Sequence, residues 1–274
     1  MIAKKVAKHK LILKNRLHQK TTVTKMAKVE NATLQLFLDA FTRVKSKDFS
    51  ADDISAFKRC ETYRQSLLKD KSEINYEVFG LNETAIVSEI CKKAASKAKW
   101  CQLLYGIAKT IDNPSILEIG TNLGISGTYL LEAIKGKNGY FITMEGLPEL
   151  CKIAGDQFKT IVNSNSFEVI QGLYEDTFKK VLQKTQYFNL LFIDGNHKKA
   201  PTLQYFNDLK SKMTSPAILI FDDIYWSEDM KDAWDDIKND TDVNFTIDLY
   251  EQGVVILDKN ESTKNQHFSL HLSY

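Results

Sequence analysis

The sequence predicts an α/β chain: a seven-stranded, mostly parallel sheet with an antiparallel final strand, helices on both faces, and an N-terminal helical cover. Three observations predict it. From Ser115 onward, short apolar runs alternate with helical segments, as a parallel sheet requires. Two of those runs, in LLFIDGNHKKAP (190–201) and PAILIFDDIYW (216–226), end abruptly in carboxylates. If they are parallel neighbours, Asp194, Asp222 and Asp223 emerge at the carboxyl edge of the sheet, where open α/β sheets bind ligands. The chain then breaks its alternation: FTIDLY, Glu251-Gln252-Gly253 and VVILDK read as two tightly joined strands, a hairpin closing the sheet edge.

Composition sets the bounds. The chain has 274 residues, 43% of them hydrophobic and 26% charged, enough for one large α/β domain with an appendage. The net charge of +2 is unevenly spread. Residues 1–30 carry nine lysines and arginines against Glu30 alone, about +8, which leaves about −6 for the remainder. That balance argues against a nucleic-acid substrate, because the acidic remainder would repel phosphates. Cys60, Cys91, Cys101 and Cys151 show no CxxC spacing, and a reducing cytoplasm suits them. No apolar run approaches the roughly 18 residues of a membrane span, and the N-terminus lacks a secretory core.

Residues 1–30 read as a frayed basic tail, since Leu11 and scattered lysines spoil the face formed by Ile2, Val6, Leu13 and Leu17. Residues 31–114 read as a helical cover. Asn31 caps a helix whose buried face is Leu34, Phe37, Leu38, Phe41 and Val44. Ser50 and Asp53 form a capping box opening a second helix, with Ile54, Phe57, Leu67 and Leu68 facing inward. A third helical segment spans about 83–111 and stops before Pro114. The loop of residues 76–82, with Phe79-Gly80, is a candidate pocket wall. Apolar faces on the cover helices would fit a homodimer.

Residues 115–274 form the remaining domain. Strands are expected near 115–119, 140–145, 167–171, 188–193 and 217–221, with helices near 125–135, 147–161, 175–184, 199–212 and 228–238. Segment 116–130, ILEIGTNLGISGTYL, is a strand, a Gly-rich turn and a helix start. Gly120 and Gly124 let the backbone turn tightly and approach a ligand, while the helix start offers unpaired N–H groups. Asn122 stands where a dinucleotide fingerprint needs its second glycine, so the turn alone defines no cofactor. Glu145 follows at the end of the second strand.

Glu118, Gly120, Glu145, Asp194 and the Asp222-Asp223 pair, in this order, resemble the class I S-adenosylmethionine-dependent methyltransferases, with their Rossmann-like sheet, over about residues 80–260. Among these the chain looks most like the metal-dependent O-methyltransferases of the catechol, caffeoyl-CoA and macrolide-sugar types. The resemblance implies that Glu118, Gly120, Gly124 and Ser126 lie near the methionine part of S-adenosylmethionine. It implies that Glu145 accepts hydrogen bonds from the ribose hydroxyls, that Gly172 and Leu173 border the adenine, and that Asp194 also adjoins the cofactor.

The carboxylate edge implies a cation. Two unit charges about 4 Å apart repel by about 4 kcal/mol at an effective dielectric of about 20, so three clustered aspartates need relief. Oxygen-only ligation suits Mg²⁺ or Mn²⁺, with Asp194, Asp222 and Asp223 as ligands. Asp223 stands where catechol-type enzymes carry Asn, which shifts the expected acceptor, a small hydroxylated molecule, from a catechol toward a sugar or polyol. His197, three residues past Asp194, occupies the place of the catalytic base, and an imidazole titrates in the range that role needs. Tyr225 and Trp226 are either pocket wall or core. Two other readings stand beside this one: a nonenzymatic S-adenosylmethionine-binding scaffold and a nicotinamide-dependent oxidoreductase.

Overall fold

The basic N-terminal stretch is helical. In the computed structural model, which describes residues 2–272, helix α1 runs Ile2–Met26 and is followed by α2, Ala32–Ser46. The expected frayed tail is therefore corrected. Residues 2–26 contain no Gly or Pro and are rich in Lys and Leu, so propensity carries the helix although its apolar stripe is imperfect. Ile12 and Met26 are buried, while Leu13 and Leu17 stay exposed. On α2 the expected stripe is buried in full, and Asn31 caps the helix by accepting the Leu34 N–H at 3.0 Å.

The chain divides into two compact units, Met1–Lys45 with Tyr187–Tyr274, and Ser46–Gln186. The second unit opens with α3, Ala51–Leu67, where Ser50 and Asp53 make the expected capping box. Its buried face is Asp53, Ala56, Phe57, Cys60 and Leu67. Ile54 is 57% exposed, one residue out of phase with that stripe, and Leu68 has already left the helix. The single helix expected over 83–111 is a strand and two helices. A short hairpin pairs β1, Glu73–Asn75, with β2, Thr84–Ile86, and α4, Val87–Ala94, is separated from α5, Ala98–Thr110, by extended backbone at Ala95. The Arg64 guanidinium donates to the Ser96 carbonyl at 2.8 Å in this break.

Three parallel strands complete the second unit. β3 (Ser115–Ile119), β4 (Tyr140–Glu145) and β5 (Phe167–Gln171) pair in sequence order, separated by α6 (Ile125–Ile134) and α7 (Pro148–Lys159), and α8 (Tyr174–Gln183) follows. β3 and β4 are buried along almost their whole length, as central parallel strands are, whereas β5 is half-buried and ends in the exposed Gln171.

The first unit resumes with β6 (Phe188–Ile193), α9 (Lys199–Lys210), β7 (Met213–Asp222), α10 (Glu228–Lys238), β8 (Phe245–Asp248), β9 (Gln252–Leu257) and β10 (Gln266–Ser269). Its strand order is β10-β8-β9-β7-β6. β6 and β7 are parallel, and β9 runs antiparallel to both β7 and β8. The expected hairpin is present. It does not close the sheet, however, because β10 adds parallel to β8, outside it. Gln252 belongs to β9 and not to the turn, since it pairs with Asp222 across the ladder. The fold is α/β and Rossmann-like, as the sequence predicts.

Candidate active site

In the second unit, the carboxyl ends of the parallel strands carry the Gly-rich turn, Glu145 and Gly172. Gly120 has φ 106°, a conformation that side chains rarely adopt, and its N–H donates to the Met144 carbonyl at 3.2 Å. The turn thereby bonds to β4 one residue before Glu145. One Glu145 carboxylate oxygen accepts the Asn122 N–H at 2.9 Å and the other the Leu147 N–H at 3.0 Å. Burial pushes its carboxyl above the usual range, opposed by the N–H groups of Leu147, Asn122 and Gly146.

Apolar side chains stand against Gly146, the residue after this carboxylate. A Cβ on Gly146 would come within 2.8 Å of the Phe79 ring, with Leu173 Cδ2 at 3.8 Å. Phe79 lies in the 76–82 loop, and Tyr76 packs near it with ring centroids 6.3 Å apart. Burial and then the negative charge of Glu145 push the Tyr76 phenol up. Gly172 has φ 136° and donates its N–H to the Glu145 carbonyl at 2.9 Å.

Glu118 and Ser126 are brought together, but in the interior. Glu118 is fully buried on β3, where its carboxylate accepts the Ser126 hydroxyl at 2.5 Å and the Thr143 hydroxyl at 2.7 Å. These bonds brace β3 against α6 and β4. Gly124 likewise has a packing reason: a Cβ there would meet Ala154 Cβ at 2.7 Å and the Phe158 ring at 3.0 Å.

In the first unit, β6 and β7 run parallel with Ile193 paired to Phe221, and the next residue of each strand is an aspartate, Asp194 and Asp222. His197 Nε2 stands 3.6 Å from Asp194 Oδ1, an electrostatic contact longer than a hydrogen bond. Burial, then the like charges of Asp194 and Asp223, push the Asp222 carboxyl well above the usual range, with the Gln252 amide and Glu251 as lesser influences of opposite sign. Asp223 has φ 56°, so the backbone turns sharply after Asp222. Beyond it, the Tyr225 and Tyr250 rings stack at 4.9 Å and 3°, and Lys8 Nζ lies 4.9 Å over Tyr250. The Tyr225 hydroxyl donates to Asp248 at 2.8 Å, whereas Trp226 is exposed.

Asp222 thus feels the charge of both Asp194 and Asp223. Among the described residues, however, no group of three or more His, Cys, Asp or Glu side chains assembles as a ready metal site. The donor chemistry still fits a hard cation, since the nearby groups that end β6 and β7 are carboxylates. Sequence reasoning missed Gln252, Asp248 and Tyr250. The available signal was the polar residue at the head of the VVIL strand, opposite Asp222 in an antiparallel register.

Residues 117–224 match the model of a family described as a methyltransferase domain. A curated relative from Mycobacterium sp. (strain JLS), whose name gives it provisionally as an O-methyltransferase, is 26% identical over 100 residues. The match spans 36% of this chain and 44% of that protein, less than half its length. Among solved structures, the O-methyltransferase from Bacillus cereus in complex with SAH superposes with a TM-score of 0.54 at 18% identity, covering 71% of this chain and 91% of that one. The O-methyltransferase TomG of Streptomyces achromogenes, involved in tomaymycin synthesis and in complex with SAM, gives 0.52 at 19% identity, over 60% and 82%. The SAH-bound methyltransferase PaMTH1 of Podospora anserina gives 0.54 at 15%, over 74% and 94%. The chain has the fold of these methyltransferase structures, and residues 117–224 are the part that matches the methyltransferase-domain family. No helix among the described residues is long and apolar enough to cross a membrane.

Proposed function

We propose that the protein is an S-adenosylmethionine-dependent O-methyltransferase acting on a small hydroxylated acceptor, a sugar or polyol before a catechol, with assistance from Mg²⁺ or Mn²⁺. The observation that carries this reading is Glu145. It is a buried carboxylate at the end of β4, fixed by two backbone N–H groups and with Phe79 and Leu173 against the next residue, Gly146, a setting suited to paired ribose hydroxyls beside an adenine. S-adenosylmethionine, when bound, supplies an electrophilic methyl group. Gly120 and Asn122 give it a backbone approach, and Gly172 and Leu173 border its base. Glu118, Ser126 and Gly124 shape the turn from behind through the bonds and contacts described above.

The carboxylate edge serves the acceptor. Asp194, Asp222 and Asp223 would hold the divalent ion, which would lower the pKa of the acceptor hydroxyl. With His197 Nε2 turned toward Asp194, Nδ1 is the nitrogen left to take the acceptor's proton. Trp226, exposed beside the stacked Tyr225–Tyr250 pair, offers a flat face against which an acceptor ring can pack. A cytoplasmic location belongs to this reading and is supported by four cysteines present as free thiols. Titration calorimetry of the full chain with S-adenosylmethionine should show saturable heat with one site. No heat with either S-adenosylmethionine or S-adenosylhomocysteine would remove the proposal.

A further inference from the structure

Gln252 is the first residue of β9 and is completely buried. Neither its amide nitrogen nor its amide oxygen completes a hydrogen bond of good geometry among the described residues, yet the amide stands close enough to Asp222 to oppose the rise of that carboxyl. Buried amides are ordinarily satisfied, and one left open calls for a specific reason. The ladder supplies it. Gln252 lies directly opposite Asp222 in the antiparallel β7–β9 register, and opposed residues of such a pair project to the same face. Asp222 is the last residue of its strand, with the backbone turning away at Asp223. The neighbouring Gly253 leaves no freedom to shift the strand, because a Cβ there would strike the Trp234 ring at 2.7 Å. β9 is thereby locked in the register that presents Gln252 to Asp222.

We propose that Gln252 is a positioning residue of the carboxylate edge: its side-chain N–H groups donate to the Asp222 carboxylate and hold it in one orientation from below. An amide suits this place because it donates without adding charge to a cluster already containing Asp194, Asp222 and Asp223. A carboxylate there would add repulsion, and a Leu would leave Asp222 free to rotate. What the edge then does rests on the O-methyltransferase reading, but the pairing itself does not.

The test uses the full chain labelled with ¹⁵N. The Gln252 side-chain amide resonances, assigned by their loss in Gln252→Leu, should shift in Asp222→Asn and remain in place in Asp208→Asn, a control at a half-buried position of α9 outside the carboxylate edge. Resonances unmoved by Asp222→Asn would overturn the proposal. In parallel, Mn²⁺ alone is titrated by electron paramagnetic resonance. Gln252→Leu should weaken Mn²⁺ at least tenfold, and Gln252→Asn, with a shorter reach, should fall between, while heat from S-adenosylmethionine stays as in the wild type and certifies folding. Mn²⁺ affinity equal to wild type in Gln252→Leu would also overturn it. If the wild-type chain binds no Mn²⁺, the metal part of the functional reading fails, and the amide shift alone decides the pairing.

Discussion

The Glu145 carboxylate accepts the backbone N–H of Asn122 at 2.9 Å, which ties the end of β4 to the glycine turn that follows β3. A carboxylate held this way is oriented before any ligand arrives, so under the proposed function its loss is felt in affinity and not in folding alone. Glu145→Ala should weaken S-adenosylmethionine about 10- to 100-fold, roughly 1.4–3 kcal/mol, as expected for a charged hydrogen-bonding group. Calorimetry with the variant checks this, and an unchanged dissociation constant would assign Glu145 to turn structure only.

His197 faces Asp194 from one nitrogen and is partly open to solvent. A general base at this position makes a distinct kinetic prediction. His197→Ala should lower kcat by about 10²–10⁴, with S-adenosylmethionine affinity within about twofold of wild type. Single-turnover methyl transfer to a responsive sugar or polyol measures it; a rate equal to wild type would place the base elsewhere.

Metal removal tests the carboxylate edge as a whole. Turnover should disappear when the protein is dialysed against EDTA and return with Mg²⁺ or Mn²⁺, since hard oxygen donors favour those ions. Activity that survives EDTA would leave the repulsion of Asp222 by Asp194 and Asp223 to be relieved by protonation of Asp222, toward which burial and its neighbours already push it.

Much of this was legible in the residues because it depends on local rules. The strand ends that carry Glu145, Asp194 and Asp222 follow from apolar runs stopped by charge, and the caps at Asn31 and Ser50 follow from side-chain chemistry. What was not legible depends on register or long-range packing. Ile54 has the right character for an inward position, but the phase of α3 is set by Asp53 and Phe57, which place it in solvent. Gln252 is an ordinary turn residue by composition, and only the β7–β9 pairing shows that it opposes Asp222. The N-terminal helix was hidden because its lysines obscure a stripe as sparse as Ile12 and Met26.

Gly124 is held at φ 72° at the start of α6, with Ala154 and Phe158 of α7 against it. Gly124→Ala should therefore destabilise by about 1–3 kcal/mol, combining the left-handed penalty with overpacking. Urea denaturation checks the magnitude. A cost below about 0.5 kcal/mol, a level typical of surface changes, would show that the α6–α7 contact yields easily.

Asp53 gives the clearest pH signature. It caps α3 through Ser50, accepts the Tyr105 hydroxyl at 2.9 Å and pairs with Lys109. Burial alone would raise its carboxyl, but the bonds from Lys109, Ser50 and Tyr105 outweigh it and bring the pKa to about 2, against an ordinary 3.8. A folded value below the unfolded one means stability that is fully present above about pH 4 and lost as pH falls toward about 2. The contribution at neutral pH is about 2 kcal/mol. Urea midpoints measured from pH 6 down to pH 2 should fall across that window. Asp53→Asn should cost about 1–3 kcal/mol at pH 7 and flatten the acid slope, because the variant has no proton to take up there. If the variant keeps the wild-type slope, the acid sensitivity belongs to other carboxylates and the Lys109 pairing contributes little.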